Sequence, residues 1–142
     1  MRKHILVVVA ALLLGGTIAH FHVAAQTYYP VIRVSAPGAV TYTAVLDAVP
    51  ERKRCGEASH RFVEPFKVEC PECRIVLARC SRDLEGLEPP ADRAVYMPGV
   101  RIVIEGGAPA AQLACELIAG DVVKLGVSSA RCVAIAGQPS RS

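Results

Sequence analysis

The 142 residues carry 16 Lys and Arg against 13 Asp and Glu, with no Trp, four Tyr and six Cys. A nucleic-acid binder needs a concentrated basic face and stacking aromatics, and this chain offers neither. The length fits one domain with a modest core, so the cysteines are the first question.

Met1-Arg2-Lys3-His4 is a short basic start, and Ile5 to Leu14 is an unbroken apolar run extended by Gly15-Gly16-Thr17-Ile18-Ala19. Val23-Ala24-Ala25 then places small residues where a signal peptidase would cut before Gln26. That order is the layout of a secretory leader. The run is short of the roughly 20 apolar residues that span a bilayer as a helix, and His20 and His22 interrupt its extension. We expect residues 1–25 to be a signal peptide or, failing cleavage, a retained N-terminal anchor, with the remainder exported. Arg2 and Lys3 leave with the leader, so the mature chain holds 14 basic residues against 13 acidic. Arg52-Lys53-Arg54 reads as a solvated loop. Arginine outnumbers lysine, and Ala, Gly and Pro are abundant, which suggests a GC-rich bacterial gene and a periplasmic address.

Residues 26–137 are expected to form a single exported α+β domain, followed by a flexible tail at 138–142. Six cysteines, all beyond the leader, in an oxidising compartment favour disulfides among Cys55, Cys70, Cys73, Cys80, Cys115 and Cys132.

In chain order, Val31-Ile32-Arg33-Val34-Ser35 and Val40 to Ala48 read as two strands joined at Ala36-Pro37-Gly38. Proline then glycine suits a type II turn. Val40, Tyr42, Ala44 and Leu46 share one apolar face. Glu51 to His60 reads as a polar loop. Arg61 to Glu69 has strand-like Phe62-Val63 and Phe66-Lys67-Val68, demoted to an edge or a broken strand by Pro65.

Residues 70–86 are ambiguous. As a helix, Cys70 caps the start, Pro71 takes the first helical position, and Cys73, Leu77, Cys80, Leu84 and Leu87 form one stripe. As a hairpin, Pro71-Glu72 would be a two-residue turn, although such turns usually need positive φ, which proline cannot supply. The stripe favours the helix, while β-branched Ile75-Val76 argues against it and a strand followed by a short helix from Ser81 competes. Val100 to Glu105 is a strand, Pro109 to about Leu125 is a helix whose apolar stripe is Cys115, Ile118, Val122 and Leu125, and Arg131 to Ala136 is a short strand. This end of the chain reads as a β-α-β-like unit with its two strands parallel, completing a small mixed sheet with one or two helices. No internal repeat is visible. A Cys115–Cys132 bond would pin helix to sheet, worth about 3 kcal/mol by chain entropy.

Cys70-Pro71-Glu72-Cys73 resembles the active-site Cys-x-x-Cys of the thioredoxin superfamily, and Tyr96-Met97-Pro98-Gly99 before a strand looks similar to that family's cis-proline. The resemblance implies thiol–disulfide exchange, with Cys70 activated at a helix N-terminus and Cys73 resolving. Only 24 residues separate Cys73 from Pro98, too few for that fold, and Glu69 stands where an aromatic residue often precedes the motif. A zinc site at Cys55, Cys70, Cys73 and Cys80 would have one tight pair where such knuckles usually have two. His60, the one histidine beyond residue 25, has only Ser59 as a neighbouring nucleophile. Neither a nucleophile elbow nor a phosphate loop is present. Glu51, Glu57, Glu64, Glu69 and Glu72 read as a solvated acidic run.

The sequence therefore points to a disulfide-stabilised, non-catalytic binding or assembly accessory of the cell envelope. No metal or other cofactor is expected. The partner would be a protein or envelope component, and the membrane would be touched only through residues 5–25 if they are retained. The alternative is a thiol–disulfide exchanger using Cys70 and Cys73.

Overall fold

The computed structural model describes residues 2–15, 27–85, 87 and 89–135. The expected cleavage region around Val23-Ala24-Ala25 and the tail from residue 138 lie outside them. The elements are helix α1 (Arg2–Gly15), strands β1 (Tyr29–Ala36) and β2 (Val40–Leu46), helix α2 (Arg52–Glu69), strands β3 (Arg74–Ser81), β4 (Arg93–Met97) and β5 (Val100–Glu105), helix α3 (Ala108–Lys124) and strand β6 (Arg131–Ala134). The strands form one six-stranded sheet in the order β3-β1-β2-β5-β4-β6.

The architecture is α+β and stapled by disulfides. Every strand pair is antiparallel, so the sheet is not mixed as expected. β5 and β6 do run parallel around α3, but β4 lies between them, giving a split β-α-β unit. Tight hairpins set the two inner registers. Gly38 and Gly99, at φ of 87° and 81°, each follow a proline in the turns after β1 and β4. That is the positive φ a type II turn demands at its third position. Ala39 also sits at positive φ, 57°, where an L-residue with a Cβ is disfavoured by roughly 1–2 kcal/mol. Ala39→Gly should therefore raise the thermal midpoint slightly, because the relieved clash exceeds the added chain entropy of roughly 0.5–1 kcal/mol.

The element order contains a repeat that the residues themselves conceal. β1-β2-α2-β3 and β4-β5-α3-β6 are both strand-strand-helix-strand, and in the sheet each unit's first strand lies between its other two. The units meet where β2 pairs with β5, Thr43 opposite Val103. In each unit a disulfide joins the helix to the strand that follows it: Cys55 to Cys80, and Cys115 to Cys132.

Three expectations fail here. Residues 52–69 are one helix, α2, rather than a loop and a broken strand. Its buried face is Cys55, Ala58, Ser59, Phe62, Val63 and Phe66, a helical spacing masked by Gly56 and Pro65. Its start carries none of the usual signals either, since Glu51 makes no side-chain cap and the first turn is basic. Residues 70–81 are a turn followed by β3, rather than the start of a helix. A bulge at Val76 puts Ile75 opposite Val34 and Leu77 opposite Arg33, so residues two apart face opposite sides of the sheet. That switch mimicked a helical stripe. Finally, Tyr96 and Met97 end β4, and Pro98-Gly99 is its hairpin turn rather than a cis-proline loop; no cis peptide bond occurs among the described residues.

Both α2 and α3 pack on the same face of the sheet, α2 on β1 and β3, α3 on β4, β5 and β6. On the other face, part of β1 and β2 is covered by chain that follows β3. There Leu84 and Leu87 pack on Val31 and Val45, and the Arg33 guanidinium donates to Thr43 Oγ1 (3.1 Å) and to the Leu87 carbonyl (3.0 Å).

Candidate functional site

The two halves of the sheet each carry one helix, and the central strands β2 and β5 meet between them, β5 partly under α3. Alternation aims Tyr42 and Ala44 of β2, and Ile102 and Ile104 of β5, toward the helices, and all four belong to the main core. Helix α1 reaches this central strip at Tyr42. It packs against both α2 and α3, and its His4 ring lies 5.9 Å from the Tyr42 ring. His4, Ile5, Val7, Val8, Val9 and Ala11 are all buried, and Leu6 projects outward. A segment with the layout of a leader thus occupies the seat of a core helix.

The polar chemistry of this seat is incomplete. Tyr42 Oη and His4 Nε2 are buried without hydrogen-bond partners, and orphaned groups of this kind each cost roughly 1–3 kcal/mol. Burial raises the Tyr42 phenol above its ordinary range. Burial also lowers the His4 imidazole, assisted by the N-terminal charge and opposed by Glu72. Unfolded, His4 takes up a proton near its ordinary value of 6.5, whereas the seated ring resists it. The stability gained by seating α1 is therefore present above that value and is lost as pH falls below it. Denaturation of the uncleaved chain should show a lower midpoint at about pH 5.5 than at about pH 7.5, and His4→Leu should narrow the gap.

Beside α1 an open apolar cleft of about 590 Å³ runs between Leu6, Val9 and Ala10, the end of α2 at Val68 and Glu69, and Leu125 beyond α3. Leu6, Val68 and Leu125 are each more than half exposed.

The sulfur atoms are committed. The third bond, Cys70–Cys73, closes the turn between α2 and β3. Cys70 caps the C-terminus of α2, its amide donating to the Phe66 carbonyl (3.1 Å), and the Cys73 amide donates to the Cys70 carbonyl (2.9 Å). This reverses the geometry that the thioredoxin resemblance requires. A helix C-terminus presents the negative end of its dipole, which disfavours a thiolate, and Cys70 is 3% exposed. With Cys55 bonded to Cys80 and Cys70 to Cys73, the four sulfurs of the zinc arrangement are oxidised in pairs. His60 lies on the exposed side of α2, 3.3 Å from Glu64 Oε1, which also accepts from Lys67 Nζ at 2.8 Å. The Lys67 hydrogen bond is the main influence holding the Glu64 carboxyl below its ordinary value. This is a solvated charge cluster with no nucleophile in it. Glu51, Glu57, Glu69 and Glu72 are spread along α2 and its ends and are exposed.

The residues that define the seat, Tyr42 and His4 above all, were not legible as a site. Tyr42 read as one member of an apolar strand face, and His4 as part of a basic leader start. In comparisons with known proteins, no family model matches this chain, and neither does any curated protein or solved structure.

Proposed function

We propose that this protein is an exported, disulfide-stabilised, non-catalytic binding or assembly accessory of the cell envelope, periplasmic in a bacterial cell, with residues 1–25 as its leader. The observation that carries the reading is the use made of the cysteines. All six are paired, which is consistent with an oxidising, exported compartment. Two of the three bonds hold helices to strands beside an apolar seat, and the third lies at the wrong end of a helix for thiol exchange. The sulfur framework supports a surface that is held in shape for a partner.

The test is a non-reducing peptide map and intact mass of natively exported material, with osmotic-shock fractionation. The reading expects the three bonds intact and the protein in the envelope fraction. Free thiols at Cys55, Cys80, Cys115 and Cys132, or a cytoplasmic location, overturn it. Mild reduction separates the accessory from an exchanger. An exchanger would yield a selectively alkylated Cys70 while folded, whereas an accessory should expose thiols only as it loses stability.

A further inference from the structure

We propose that the seat of α1 is a docking groove for an apolar helix supplied by another protein, opened when residues 1–25 are removed. This rests on the exported reading above and adds the class of partner.

The walls of the groove are pinned apart. Cys55–Cys80 ties α2 to β3, and Cys115–Cys132 ties α3 to β6. β3 and β6 are the two outermost strands of the sheet. Each bond ties its helix to an edge strand, which opposes the two helices closing over β2 once α1 has gone. The floor they leave is apolar: Tyr42, Ala44, Ile102 and Ile104 are each at most 2% exposed with α1 in place. A vacated strip of that kind would be a contiguous apolar patch, which marks an interaction surface.

The bound segment shows what fits. Between His4 and Ala11, α1 buries apolar side chains over more than half of its circumference and leaves the Leu6 side open, so the groove takes a helix with a broad apolar face. A helix with its side chains is about 10 Å across, and the tethered walls hold that width, which a single acyl chain would not fill. The fit is imperfect at one point. The Tyr42 hydroxyl is buried without a partner against α1, so a cognate helix would bring a hydrogen-bonding group to that position. The leader is thus a serviceable but inferior occupant, as a segment destined for removal should be.

The test uses the natively exported, oxidised protein. Its intact mass is read first, and it is then titrated calorimetrically with a synthetic peptide of residues 2–15 carrying solubilising lysines. One-to-one binding is expected. Ala44→Trp, which fills the floor, should weaken binding at least tenfold with the disulfides and circular dichroism unchanged. Tyr42→Phe, which removes the orphaned hydroxyl and preserves the ring, should tighten it by roughly fivefold or more. Absence of binding, or equal affinity in Tyr42→Phe and the parent, overturns the proposal whether or not Ala44→Trp folds. So does displacement of the peptide by dodecyl maltoside below its micellar concentration, which would make the occupant an acyl chain. A mature dimer that dissociates on peptide addition would make it a second copy. Retention of residues 1–25 in exported material would make α1 a permanent core helix. That last result overturns the groove while leaving the exported accessory reading intact.

Discussion

Replacing Cys55 and Cys80 together with alanine is expected to lower the free energy of unfolding by about 3.5 kcal/mol, the chain-entropy value for a bond with a sequence separation of 25. The same treatment of Cys115 and Cys132, separated by 17, is expected to cost about 3 kcal/mol, and of Cys70 and Cys73, separated by 3, about 1.6 kcal/mol. Urea denaturation of the three double variants should therefore rank them in that order. The first two losses are large against a total of roughly 5–15 kcal/mol for a small domain. They also act on different parts of the molecule. Losing Cys55–Cys80 frees α2 from the β3 edge, and losing Cys115–Cys132 frees α3 from the β6 edge, so either loss should leave one half of the sheet less protected in hydrogen exchange. The Cys70–Cys73 bond only closes a turn. A ranking in which its removal proved the costliest would show that the short bond, rather than the two helix-to-strand staples, holds this architecture.

Phe62→Ala is expected to cost about 3–5 kcal/mol, the range for truncating a large buried aromatic side chain. Phe62 is 2% exposed and lies 5.7 Å from the ring of Phe66, itself 2% exposed. The pair forms the inner face of α2, and truncating one leaves a cavity that the other cannot fill, because both backbones belong to the same rigid helix. Val68→Ala is the internal control. It lies on the same helix but is 74% exposed, and it should change stability by no more than about 0.5 kcal/mol. Chemical denaturation of the two variants compares a core face with a solvated one along a single element. Equal effects would mean that α2 does not pack on the sheet through Phe62.

Where the local pattern had a single explanation, it was readable. Val100–Glu105 alternates cleanly and is β5. The helix after Gly107 has proline in its first turn and a buried stripe through Cys115, Ile118 and Val122. Where two local signals conflicted, the wrong one carried more weight. Pro65 argues against a helix, at a cost of about 3 kcal/mol in a helix interior, yet α2 runs through it because six buried side chains on one face offset that loss. In β3 a bulge redirected the alternation, so that strand residues fell at helical spacing. Both errors share a cause: a tertiary surface rewarded an arrangement that the chain's local preferences oppose.

The sequence by itself determined a chain with a leader-like start, an even set of cysteines beyond it, two strand-rich stretches and one clear helix. Those properties follow from composition and from side-chain periods of two and 3.6 residues, which are local. Only the tertiary structure decided which sulfurs pair, that strand-strand-helix-strand occurs twice, and that the leader-like segment reaches the central strip at Tyr42. These depend on which residues distant in sequence meet across the sheet, and in this chain the helix-to-strand bonds join positions 25 and 17 residues apart through elements that no local spacing links.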